Sequence, residues 1–90
     1  MKSAAHMTVK GLVQGVGFRY FVAAKASRLG LVGFVCNTYS GEVEIEVEGE
    51  RSGIESLIRE VKVGPRASQV RDVVIEWHEE SNRFSHFEIR

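Results

Sequence analysis

One cysteine, one proline and no surplus of either charge mark this 90-residue chain. A single thiol, Cys36, excludes an intrachain disulfide and any thiolate metal cluster, so a reducing cytoplasm is the expected setting. Twelve Lys and Arg offset twelve Asp and Glu, for a formal net charge of +0. A protein that coats nucleic acid or an anionic membrane would carry a basic excess, so neither partner is expected. No apolar run approaches the ~20 residues needed to cross a bilayer. The opening MKSAAHM is too short and too polar for a secretory signal. Nothing repeats internally and no segment is low in complexity. The length suits one domain, residues 1–90, with one core.

What is present is clear periodicity. Residues 6–13 alternate, with Met7, Val9 and Val13 facing one way and His6, Thr8 and Lys10 the other, which predicts a half-buried strand. From Phe18 the period changes: Phe18, Val22, Ala26 and Leu29 recur at helical spacing, and Gly30 stands where helices stop. LVGFVCNT and EVEIEVEGE read as two strands joined at Tyr39-Ser40-Gly41, a hairpin. In the second, Val43, Ile45 and Val47 form one face, and Glu42, Glu44, Glu46 and Glu48 a second face expected to be wet. Ser52 with Glu55 predicts a capping box for a second helix, whose stripe is Ile54, Leu57, Ile58 and Val61 and whose end is Gly64-Pro65. VRDVVIEWHE predicts a strand with Val73, Ile75 and Trp77 inward, and FSHFEI a last short one. The order β-α-β-β-α-β plus a final strand predicts an α+β, ferredoxin-like sandwich, with both helices on one face of a mostly antiparallel sheet.

Chemistry is expected at GLVQGVGFRYF, residues 11–21. Residues Gln14 to Arg19 leave a strand and enter a helix, where several N–H groups lack helical acceptors. Gly15 and Gly17 permit a curl that points those groups inward, with the positive end of the helix dipole behind them. Arg19, in the first helical turn, can reach over the curl with a planar fork of donors. Together they would favour a phosphate-sized dianion; the alternative reading of the same spacing is a tight connection beside a solvent-exposed arginine.

These residues resemble the acylphosphatase family. Its first motif, G-x-V-Q-G-V-x-[FY]-R, is matched from Gly11 to Arg19. Its second, G-x-V-x-N followed by a turn and G-x-V, is matched from Gly33 through Asn37 to Gly41 and Val43, and RFSHFEIR is similar to the family's ending. The resemblance spans essentially the whole chain and implies hydrolysis of the carboxyl–phosphate anhydride bond of small acyl phosphates. It implies that Arg19 holds the phosphate with the main-chain amides of Gly15, Val16, Gly17 and Phe18. Asn37 is implied to position the attacking water, with Gln14 and Thr38 supporting. No cofactor and no metal are implied, and no D-x-D or similar carboxylate cluster lies near the seat. The implied partner is a small acyl phosphate, and the expected state is a monomer.

Other candidates carry less. His6, His78 and His86 lack metal-ligand spacing and are expected on strand surfaces or rims. Cys36 is expected to be an ordinary strand thiol. Trp77, Phe84 and Phe87 are expected to pack rather than to stack on bases, and Arg66 and Arg71 to flank a surface loop. A non-catalytic module that binds acyl or carbamoyl phosphate is the alternative function, since such domains front larger hydrogenase-maturation proteins. The chain's length and its family-like ending favour the free-standing enzyme. A ferredoxin-like RNA binder would need aromatics and a basic surround on its open sheet face, where glutamates are expected instead.

Overall fold

Alternation puts Val43, Ile45 and Val47 on one face of β3 (Val43–Glu50), and all three are fully buried. In the computed structural model, which describes Met1–Arg90, β3 is the centre of a five-stranded sheet ordered β4-β1-β3-β2-β5. Antiparallel partners flank it: β1 (Lys2–Leu12) on one side and β2 (Val32–Asn37) on the other. The edges are β4 (Gln69–His78), antiparallel to β1, and β5 (Phe87–Ile89), parallel to β2. Helices α1 (Phe18–Arg28) and α2 (Arg51–Val63) cover one face, α1 against β2 and β5, α2 against β1, β3 and β4. Each buries one stripe: Phe18, Val22 and Ala26 from α1; Ile54, Leu57, Ile58 and Val61 from α2. They meet Met7, Val9 and Val35 in a single apolar core. This is the ferredoxin-like α+β arrangement that the element order predicts.

Several local expectations need correction. β1 begins at Lys2, not at residue 6, because Ala4 and Ala5 pair with β3 and β4 at once; two small residues in a row carry no alternation to reveal it. α1 ends at Arg28, so Leu29 is partly exposed and Leu31 takes the buried place. The Ser52–Glu55 capping box does not form. β3 runs directly into α2, whose N-cap is Glu50 with no side-chain cap bond, so Ser52 falls inside the first turn. Glu55 instead pairs with Arg51 Nε at 3.5 Å, one turn back. Trp77, near the end of an edge strand, stays 36% exposed under the Arg51 guanidinium, 4.0 Å from its ring centre.

The glutamate face is the largest correction. Glu46 and Glu48 are buried, 8% and 2% exposed. The chain from β4 to β5 must travel from one sheet edge to the other, and residues 79–86 do so on the helix-free side. There Glu48 accepts the N–H groups of Ser81 (3.0 Å) and Asn82 (3.2 Å) and the Ser81 hydroxyl (2.6 Å). Burial pushes this carboxyl up, but those bonds and the Arg83 charge outweigh it and hold it below its ordinary value. Glu46 lies between His6 Nδ1 (2.8 Å) and His78 Nε2 (2.6 Å), so the two histidines that were expected on surfaces or rims are paired. Phe84 precedes β5 and packs edge-on against Phe34, 6.0 Å between ring centres.

Candidate active site

The turn after β1 is held at both ends by apolar anchors, Val13 at 1% and Phe18 at 2% exposure. Between them Gly15 (φ 73°) and Gly17 (φ 77°) take left-handed conformations that L side chains resist. A Cβ at either position would meet nothing within 4 Å, so glycine is required here by conformation and not by space. Gly17 is the N-cap of α1, and no side chain caps the helix. The first helical bond runs from Phe21 N–H to Gly17 O at 3.1 Å. The N–H groups of Phe18, Arg19 and Tyr20 therefore have no helical acceptor. No acidic side chain lies in the first turn, so the positive end of the helix dipole is uncompensated there.

Arg19 leaves that first turn toward the same spot. Its Nη1 donates to the main-chain oxygen of Arg90 at 3.1 Å, and Arg90 N–H in turn bonds Val35 O at 2.8 Å. Asn37 is the last residue of β2 and exposed. Gly15, Gly17, Phe18, Arg19 and Asn37 line one cleft of about 130 Å³, completed by Val13 and Tyr20. That volume is well below the ~300–1,000 Å³ typical of sites that enclose a whole drug-sized ligand. It suits one small polar group with solvent, and leaves any attached chain outside. A larger hollow of about 270 Å³, lined by Lys62, Val70, Arg71, Asp72 and Val73, lies by the β4 edge and contains none of the glycine turn, Arg19 or Asn37.

Three expected site residues stand outside the cleft lining. Val16 packs its side chain against the core. Gln14 Nε2 donates to Thr38 O (2.8 Å) and Glu42 O (2.9 Å). Thr38 shapes the hairpin turn: its Oγ1 accepts from Glu42 N–H at 3.1 Å and pairs with Ser40 Oγ at 2.9 Å. Tyr20 was not singled out from sequence, although it is 70% exposed and off the Phe18–Val22–Ala26 stripe. An aromatic ring off the stripe and next to Arg19 was the available signal. Burial pushes the Cys36 thiol up, and the charge and hydrogen-bond contact of Glu44 add to it against the opposing pull of Arg90 and Arg19, in keeping with an inert strand thiol. Nowhere do three His, Cys, Asp or Glu side chains converge as metal ligands.

The acylphosphatase family model matches residues 5–89. The chain belongs to the acylphosphatase family. An acylphosphatase of Caldanaerobacter subterraneus is 40% identical over 89 residues, covering 99% of both chains. The crystal structure of acylphosphatase from Bacillus subtilis superposes with a TM-score of 0.94 at 37% identity, over 100% of this chain and 99% of that one. A third likeness, TM-score 0.91 at 38% identity, is to full-length HypF in its phosphate- and nucleotide-bound form, of which this chain spans 12%. As an acylphosphatase, the protein is an enzyme that hydrolyses acyl phosphates to a carboxylate and inorganic phosphate. No helix is long and apolar enough to cross a membrane.

Proposed function

We propose that the cleft performs this hydrolysis by direct transfer of the phosphoryl group to water, without a metal. The main-chain amides of Gly15, Val16, Gly17 and Phe18 and the Arg19 guanidinium hold the phosphate oxygens. The carboxamide oxygen of Asn37 accepts a hydrogen bond from the attacking water and aligns it opposite the leaving group. The water oxygen bonds to phosphorus as the bond from phosphorus to the acyl oxygen breaks. Its electron pair leaves with the carboxylate, and both water protons end on phosphate. A carboxylate is a good leaving group, so no strong general acid is needed. What remains is to hold a dianion and place water in line. A neutral carboxamide orients water without repelling the phosphate, as an aspartate would.

The observation that carries this proposal is the convergence of the Gly15–Gly17 turn, Arg19 and Asn37 on one cleft. The lining supplies hydrogen-bond donors and one carboxamide, with no carboxylate, imidazole or thiolate side chain. A monomer acting in the cytoplasm is part of the proposal, in keeping with the balanced charge and single cysteine.

The test is turnover of benzoyl phosphate in excess EDTA. Wild-type turnover is expected to persist, with inorganic phosphate competing. Arg19→Ala is expected to lose about 10³–10⁵ in rate, as phosphoryl-transfer arginines do elsewhere, or about 4–7 kcal/mol of barrier. Asn37→Ala is expected to lower kcat more than it changes KM. Wild-type turnover no faster than Arg19→Ala would favour a binding module, and loss of turnover in EDTA would refute the metal-free mechanism.

A further inference from the structure

Gln14, the first residue of the phosphate turn, is half-buried, lies outside the cleft lining, and spends both of its N–H bonds on the main chain of the β2–β3 hairpin. Because Thr38 O and Glu42 O can only accept, the side-chain amide must face them with its nitrogen, which fixes the orientation of the carboxamide. Both carbonyls belong to the neck of the hairpin, where Thr38 N–H also bonds Glu42 O at 2.9 Å. Asn37 is the residue just before this neck. No other side-chain hydrogen bond joins residues 14–17 to the hairpin at 37–42.

We propose that Gln14 is a positioning residue for the hydrolytic step: it sets the distance between the phosphate held by the turn and the water held by Asn37. The inference rests on the roles proposed above for Arg19 and Asn37. Its action is through Asn37 alone. The phosphate contacts come from amides held by the buried Val13 and Phe18 anchors and by the Gly17 cap. Rate is sensitive to such a distance, since a misplacement of about 1 Å can cost on the order of 10²-fold. A loosened Gln14 therefore costs kcat and spares phosphate binding.

The experiment is a double-mutant cycle on benzoyl phosphate hydrolysis, with kcat expressed per folded molecule from thermal melts. Gln14→Met keeps length and removes both donors, and Gln14→Ala removes the side chain. Each is expected to lower kcat at least about tenfold, with KM and the Ki of inorganic phosphate within about threefold of wild type. In the Asn37→Ala background the further loss from Gln14→Met is expected to be less than about twofold, because the water it would place is no longer held. A Gln14→Met enzyme with lowered melting temperature but wild-type kcat overturns the inference, as does a Gln14 loss that multiplies fully with that of Asn37→Ala. If Gln14→Ala does not fold, Gln14→Met decides alone. If Asn37→Ala by itself keeps wild-type kcat, it is the parent assignment of Asn37 that fails, and the positioning role falls with it.

Discussion

Replacing Glu46 by glutamine preserves volume and removes a charge that two histidines share. The Glu46 side chain is 10% exposed and accepts from His6 Nδ1 at 2.8 Å and His78 Nε2 at 2.6 Å. A hydrogen bond to a charged group is worth about 1.5–3 kcal/mol when shielded. His78 is 40% and His6 27% exposed, so solvent returns part of that and the low end applies. About 1.5 kcal/mol in a domain of this size lowers the melting temperature by about 6–12 °C. The loss must also depend on pH. The Glu79 carbonyl, then the bond and charge of Glu46, raise the His78 pKa above its ordinary value of about 6.5 against the pull of burial, with Glu48 adding to the rise. A raised histidine stabilises the fold fully below its unfolded value and loses that contribution as pH climbs through the folded one. The gap between wild type and Glu46→Gln is therefore widest near pH 6 and narrows by pH 8.5, where a neutral His78 still donates one bond. Thermal melts of both proteins across that range make the check. A gap that is constant, or that widens with pH, would show that His78 does not carry charge against Glu46.

Two further predictions concern glycine and cysteine. Gly17→Ala is expected to fold and to lose about 1–2 kcal/mol, the cost of a left-handed alanine, since its Cβ meets nothing. Gly33→Ala is expected to lose considerably more, because its Cβ would run into the Glu46 carbonyl on the central strand; equal melting temperatures for the two variants would refute the distinction. Cys36, its thiol pushed up by burial and by Glu44, is expected to react with iodoacetamide at pH 7.5 more slowly than a free cysteine does, and an equal or faster rate would contradict that environment.

What could be read from sequence was local. The 3.6-residue stripe of α2 and the alternation of Val43, Ile45 and Val47 each report which side faces the core, and every one of those residues is buried. Gly15, Gly17 and Arg19 share one turn, so their chemistry is legible over five residues. The larger misreadings are non-local. Glu46 and Glu48 have the pattern of a solvated face, and only the path of residues 79–86 and the arrival of His6 and His78 from other strands bury them. Ser52 has the spacing of a cap, but the cap position is fixed by where β3 stops, and β3 does not stop before Glu50. Asn37 is intermediate: nothing in its own neighbourhood marks it, and only the resemblance to a family singled it out.

Its placement follows from topology. β1 and β2 both run antiparallel to the central β3, so they are parallel to each other, and their C-terminal ends lie at the same edge of the molecule. Val43 has Val9 and Asn37 as its two cross-strand partners, which keeps the end of β2 level with the last turns of β1. The helix that follows β1 must start where β1 ends, so its free amides and Arg19 open onto the edge where Asn37 emerges. A split βαβ unit thus brings a helix start with free amides and a strand-end side chain together without any further device. The one freedom left is the gap between turn and hairpin, two segments joined by no main-chain bond. Chemistry that depends on in-line geometry has to close that gap to a fixed length, and the only side chain hydrogen-bonded across it is Gln14.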